Sequence, residues 1–200
     1  MEQMMFGIRQ RLRYFHAASW ALVDRFIHDV RGVNAVEFAL VAPMLVGLYI
    51  GSAETALGVS INRKVSRVSS TVSDLIAQSQ AITAEDIDAT MNAAYGIMAP
   101  MSQEKINKLR IVVTGVDIDA NKNTKVLWSR AKGAGATAAA LNSSYSIPSN
   151  IKIANTFIVV AHVQYDYTPN LGGNITGSIN FDKKNYLRPR IGSSVTCSNC

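Results

Sequence analysis

Residues 38–59 are the chain's only long apolar run, interrupted only by Glu54, Thr55 and small polar residues. A bilayer core accepts roughly 20 apolar residues as a helix, so this run has the length to cross one. Immediately around its entrance stands Arg31-Gly32-Val33-Asn34-Ala35-Val36-Glu37-Phe38-Ala39-Leu40-Val41-Ala42-Pro43, which places a glycine and a lone carboxylate at the mouth of the segment. A charge entering lipid unpaired costs on the order of a few kcal/mol. Glu37 is therefore expected to have a function in or at the membrane.

The same helix carries features suited to packing against others. Gly47 and Gly51 form a G-x-x-x-G pair, and Ala35, Ala39 and Pro43 continue a row of small residues toward the N-terminus, where another backbone can come close. Lipid-facing small residues are the plainer alternative. Pro43 removes a helix hydrogen bond and is expected to kink the rod. Glu54 is expected at the far interface, with its carboxylate reaching water.

The motif G-x-x-A-V-E-F-A-L-x-A-P-x-L at residues 32–45 resembles the TadE-like family, pilin-like proteins of the tight-adherence (Flp-type) pilus machinery. More broadly, a glycine, four residues, Glu, an aromatic and then a membrane helix resembles the processing site of type IV pilins and pseudopilins. The specific resemblance covers roughly residues 31–70. It implies that a prepilin peptidase cuts after Gly32, that Val33 becomes the new N-terminus, and that Glu37 becomes the fifth residue of the mature chain. Phe38 follows the Glu where major Flp pilins usually have Tyr, which fits the TadE-like branch better than a filament-forming subunit. Independently of any family, residues four apart on a helix are neighbours, so a freed Val33 amine and the Glu37 carboxylate share a face. In a bundle, Glu37 can instead meet the amine of an adjacent subunit and neutralise both charges. Either arrangement sets axial register. The implied partners are the inner membrane, the prepilin peptidase, other pilin-like subunits and the Flp-type machinery.

Residues 1–32 read as a cytoplasmic leader, long for a pilin, with an amphipathic pattern of its own in Ile8, Leu12, Phe15, Ala18, Leu22 and Phe26. They lack the compact apolar core and small-residue cut site of a common secretory signal, and the apolar run follows the candidate cut instead of preceding it. That order leaves the helix in the bacterial inner membrane and sends the C-terminal domain to the periplasmic side. Arg63, Lys64 and Arg67 follow the span closely and offset the leader arginines, so charge supports this orientation only weakly. The net charge of +6 is not a nucleic-acid signal. Five arginines against three acids put about +2 in the leader, and the remaining charge is dispersed without aromatic interleaving.

Beyond the span the helix is expected to continue to about residue 78, through Val59, Val65, Val68, Val72, Leu75 and Ile76 at three- and four-residue steps. The segment 33–80 is thus one rod, and 81–200 one modest extracytoplasmic domain. In that domain a second helix is expected from a Thr83 cap to Pro100, with Met91, Met98 and Met101 as core filler. A hairpin follows from 109–118 and 124–129 around the turn-rich 119–123. The stretch 133–140 reads as a loop or a weak helix. Residues 155–167 alternate, with Phe157, Val159, Ala161, Val163, Tyr165 and Tyr167 on one face and His162, Gln164 and Asp166 on the other. A loop at 169–174 precedes a last extended segment at 186–196. The fold class is α+β: a long N-terminal membrane helix with its amphipathic extension, a short second helix and a small antiparallel sheet, a pilin-like layout.

Cys197 and Cys200 form a C-x-x-C, for which a small disulfide loop is the plain reading in an extracytoplasmic compartment, with free or intermolecular thiols as alternatives. Such a short loop is expected to tie down little. His16, His28 and His162 are too scattered to complete a zinc site with the cysteines, so no metal or cofactor is expected. No nucleophile elbow, zincin motif or phosphate-cradling loop occurs, so no catalytic residues are expected and the chain reads as a peptidase substrate, not an enzyme. The leading expectation is a minor pilin or pseudopilin acting in pilus assembly. Two alternatives stand beside it: an uncleaved single-pass inner-membrane scaffold of the same apparatus, and an unrelated membrane-tethered binding or sensing module with a ligand pocket.

Overall fold

The structure, a computed structural model, describes residues 32–101, 106–170 and 177–200. The leader up to residue 31, and the part of the expected loop at 171–174, lie outside the described residues. The chain divides into two compact units, 1–50 and 51–200. Helix α1, Val33–Ala77, runs through Pro43 without a break in its assignment.

In the first unit the described residues are the forward part of α1, where Val36, Phe38, Leu40, Met44, Leu45 and Leu48 are all exposed. By length and composition this is a helix able to cross a membrane, and none of its apolar window is buried. A contiguous exposed apolar surface of this kind marks a place of contact with a membrane or with another protein.

The second unit begins with the rest of α1. Ile61, Val65, Val68, Val72 and Ile76 form its buried stripe, at the spacing of one helix face. Two residues expected in that stripe, Val59 and Leu75, are each 45% exposed, and Ile61 takes part instead. At 3.6 residues per turn both sit at its margins, roughly 80–120° around the helix from Val65. Two buried serines punctuate the stripe without leaving a polar group unpaired. The Ser69 hydroxyl donates to the Ala161 carbonyl at 2.8 Å, and the Ser73 hydroxyl donates to the Ser69 carbonyl while accepting from the Asn185 amide.

After strand β1, Ala81–Ile82, helix α2 spans Ala84–Tyr95. Its start is a reciprocal capping box: Thr83 Oγ1 accepts from the Asp86 amide at 3.2 Å, and the Asp86 carboxylate accepts from the Thr83 amide at 3.0 Å. The helix does not reach Pro100 as expected. It stops at Tyr95, where Gly96, a poor helix former, opens a 3-10 turn through Met98. Ile87, Met91 and Met98 are fully buried, and Met101 packs on the core from its edge.

Strands β2 (Leu109–Ile118), β3 (Thr124–Lys132), β4 (Thr156–Tyr167) and β5 (Ile179–Leu187) make one antiparallel sheet in the order β3-β2-β4-β5. The hairpin turns where expected, with the Asp119 amide donating to the Asn123 carbonyl and Lys122 at φ 62°. The extended segment expected at 186–196 lies earlier, as β5. Its Asn180, Asp182, Lys183, Lys184 and Asn185 give no alternating pattern, because an edge strand is half exposed and carries charge that deters further pairing. Only Thr196–Cys197, strand β6, is extended further on, and it pairs parallel with β1.

One sheet face packs on both helices through Leu109, Ile111, Val113, Trp128, Phe157, Val159, Val163, Tyr165 and Tyr167. The other face is not wholly polar. Ile158 and Val160 join Val116, Ile118 and Ile147 in a second, smaller core, roofed by Tyr145, Ile151 and Tyr186. The stretch 133–140 is irregular chain leading to that roof.

Candidate functional site

The residues singled out at the membrane entrance fall on a single helix. Gly32 immediately precedes α1, Val33 is its first residue, and Glu37 lies one turn further on the same face. Glu37 and Phe38 are exposed, Phe38 by 71%. Ala35, Ala39, Pro43, Gly47 and Gly51 repeat every four residues, along a row that drifts about 40° around the helix at each step. Nothing lies within 4 Å of where a Cβ on Gly47 or Gly51 would stand. That row is open to a neighbouring backbone.

Glu54 does not simply face water. Its carboxylate accepts a hydrogen bond of 2.9 Å from the Tyr167 hydroxyl, at the end of β4, and Tyr167 is buried, its ring stacked near Phe181. Burial pushes the Tyr167 phenol up to about 12, and the hydrogen bond and charge of Glu54 push in the same direction. A phenol that ionises at higher pH in the folded state than its ordinary 10.0 contributes stability that is complete below pH 10 and lost as pH rises through about 12. Stability should therefore fall across that window in the wild-type chain, and fall less in Tyr167→Phe. Urea midpoints recorded at several alkaline pH values compare the two; parallel curves would remove this linkage.

Past Glu54 come three cations. Lys64 turns its ammonium to the Met98 and Ala99 carbonyls, at 3.4 and 2.6 Å, and so ties α1 to the turn after α2. Arg63 and Arg67 point away and are exposed. At the far end of the helix Asp74 accepts from Arg190.

On the open part of the sheet, the polar residues pair among themselves. Asp166 accepts from Arg110 at 2.7 Å and from Asn180, and these bonds, Arg110's first, hold its carboxyl below the usual range. His162 shares the Asp182 carboxylate with Gln164. Among the described residues no three His, Cys, Asp or Glu side chains converge as metal ligands.

Cys197 and Cys200 are joined in a disulfide, and the segment around them does more than the short loop suggested. Val195 is buried, and its carbonyl accepts the Trp128 indole N–H at 2.8 Å. Asn199, between the cysteines, accepts from the Ala84 amide at 2.7 Å and donates to Glu85, adding a second cap to α2. It is these hydrogen bonds of Val195 and Asn199, separate from the short ring that the disulfide closes, that tie the segment to β3 and α2. The Glu54–Tyr167 and Asn199–Ala84 contacts were beyond sequence reasoning, since each joins residues more than a hundred positions apart.

Comparison with protein families, with curated proteins and with solved structures gives no match to this chain.

Proposed function

We propose that this chain is a minor pilin or pseudopilin of a Flp-type, tight-adherence pilus, processed by a prepilin peptidase after Gly32 and acting in pilus assembly through helix packing in the bacterial inner membrane. The observation that carries the reading is the position of α1. It starts at Val33, directly after the candidate cut, and runs for 45 residues with an uncovered apolar forward part and a rear stripe buried in an α+β domain. A rod of that kind is anchored by its own domain and offers its other half to a membrane or to like helices.

Cutting after Gly32 turns the Val33 peptide nitrogen into an amine one helical turn from Glu37. In a bundle, pairing of that amine with a Glu37 carboxylate removes two charges from a poorly solvated setting and holds subunits in axial register. The small-residue row from Ala35 to Gly51 gives the close approach such packing needs. The domain then projects on the periplasmic side, where the Cys197–Cys200 disulfide is stable.

The test is the N-terminal residue of the protein recovered from cells carrying a prepilin peptidase, by intact mass or terminal sequencing. The expected product starts at Val33 and is lost in Gly32→Ala, and Glu37→Ala leaves the cut chain unassembled. A chain that still starts at Met1 would overturn the processed reading in favour of a static membrane scaffold.

A further inference from the structure

We propose that the Cys197–Cys200 disulfide is a redox latch on the start of α2: reduced by a dithiol, it lets residues 195–200 come away from α2 and β3 while the sheet and both helices stay folded. The latch does not depend on how α1 meets a membrane.

Cys197 and Cys200 are the chain's only cysteines, and the short ring they close holds Ser198 and Asn199 against the start of α2. Asn199 Oδ1 accepts from the Ala84 amide at 2.7 Å, its Nδ2 donates to the Glu85 carboxylate at 3.0 Å, and the Ser198 amide donates to the Ile82 carbonyl at 3.3 Å. The first amides of a helix have no partner within it. Thr83 serves the amide of Asp86, and the amide of buried Ala84 is left to Asn199.

The rest of the segment is held by few bonds. Strand β6 is two residues long, and the Thr196 amide to the Gln80 carbonyl and the Trp128 indole to the Val195 carbonyl are its main ties. So short a ladder opens locally at far less cost than the sheet behind it. The disulfide counters this by narrowing the conformations that residues 197–200 can take once they leave α2, which favours the docked form. Two free thiols lift that restriction. Both cysteines are only half-buried, at the edge of the core, so a thiolate can reach a sulfur while the domain stays folded.

The exchange balances in two steps. A thiolate of the reductant attacks one sulfur, forms a mixed disulfide and expels the other cysteine as a thiolate; the reductant's second thiolate then closes on its own sulfur and expels the remaining cysteine. Two electrons and two protons pass to Cys197 and Cys200, and the dithiol leaves as a disulfide.

Full-length protein in detergent is treated with dithiothreitol without denaturant, its thiols are counted by alkylation and intact mass, and amide exchange is followed by mass spectrometry. The expected result is two thiols per chain, exchange at 82–87 and 195–199 faster by about tenfold, unchanged protection in β2 and β4, and recovery on reoxidation. The Glu85 carboxyl gives a second readout. The Asn199 amide is the first of the contacts that hold it below its usual range, so it should titrate higher in the reduced chain. Asn199→Ala should quicken exchange at 82–87 with the disulfide intact. Because reduction is carried out on the folded wild-type chain, no cysteine variant has to fold. A disulfide that yields to dithiothreitol only as the whole domain unfolds overturns the latch. So does full reduction that leaves exchange at 82–87 and 195–199 unchanged, or an Asn199→Ala chain that exchanges there like the wild type. Loss of protection spreading through β2 and β4 overturns it as well, since the bond would then staple the entire domain.

Discussion

Gly115→Val should destabilise the domain by about 3 kcal/mol, among the largest effects of any single substitution that adds only carbon. Gly115 lies in β2 directly opposite Trp128 of β3, at the point where the register of the two strands shifts. The indole lies across the bare backbone. A Cβ placed on Gly115 overlaps the ring at Cε2 and Nε1, and it stands 2.8 Å from the tip of Phe157. Neither ring has room to retreat, because Trp128 is 3% and Phe157 2% exposed and they pack on each other with centroids 6.4 Å apart. Overfilling a close-packed interior typically costs about 1–3 kcal/mol in strain. Displacing the indole also breaks its bond to the Val195 carbonyl, for about 1 kcal/mol more. Urea unfolding of the full chain in detergent, followed by tryptophan fluorescence in a Trp20→Phe background, reads the change. Gly51→Ala is the control, since nothing lies within 4 Å of its added carbon. An unshifted midpoint in Gly115→Val would mean the sheet is not packed as described.

Trp128→Ala should cost as much or more, about 3–5 kcal/mol, for the opposite reason. It empties the space above Gly115, which has no side chain to refill it, and leaves the buried Val195 carbonyl without its donor. Trp128→Phe separates the two contributions. It keeps most of the ring volume and removes only the N–H, so its cost should be nearer 1 kcal/mol. Its distinctive mark should be local: amide exchange around 195–199 should quicken while the β2–β4 core stays protected. If Trp128→Phe were as damaging as Trp128→Ala, the hydrogen bond and not the packing would dominate, and if both were silent the indole would not be a core residue.

What could be read in the sequence was what local chemistry dictates. The α1 stripe is visible because Val65, Val68 and Val72 repeat at helical spacing. The start of α2 is visible because Thr83 and Asp86 are three apart, and the β2–β3 hairpin because Asp119 and Asn123 close a turn within five residues. The α+β class follows from these. The residues that resisted reading are those whose state is set by distant neighbours. β5 shows no alternation because it is an edge. Ile158 and Val160 look like the outer face of β4 until a segment some ten residues upstream covers them. Asn199 looks like loop filler until it meets the Ala84 amide. At the candidate site the motif around Gly32 and Glu37 was legible as a pattern, and its placement at the head of an uncovered helix is consistent with that.

The parallel pairing of β1 with β6 joins Gln80 to Thr196, 116 residues apart, through the Thr196 amide and the Gln80 carbonyl. Nearly the whole domain lies inside that loop. Closing a loop of this length costs about 4 kcal/mol of chain entropy if it is attempted on an unstructured chain, and far less once hairpins and helices have shortened the path. The order of events is thereby biased: the sheet and both helices assemble through nearer contacts, and the β1–β6 clasp comes late, as the step that gives Trp128 its acceptor and α2 its second cap. Folding of this domain should be governed at its end by contact order, with a nearly complete, unclasped form as the state a protease would find first.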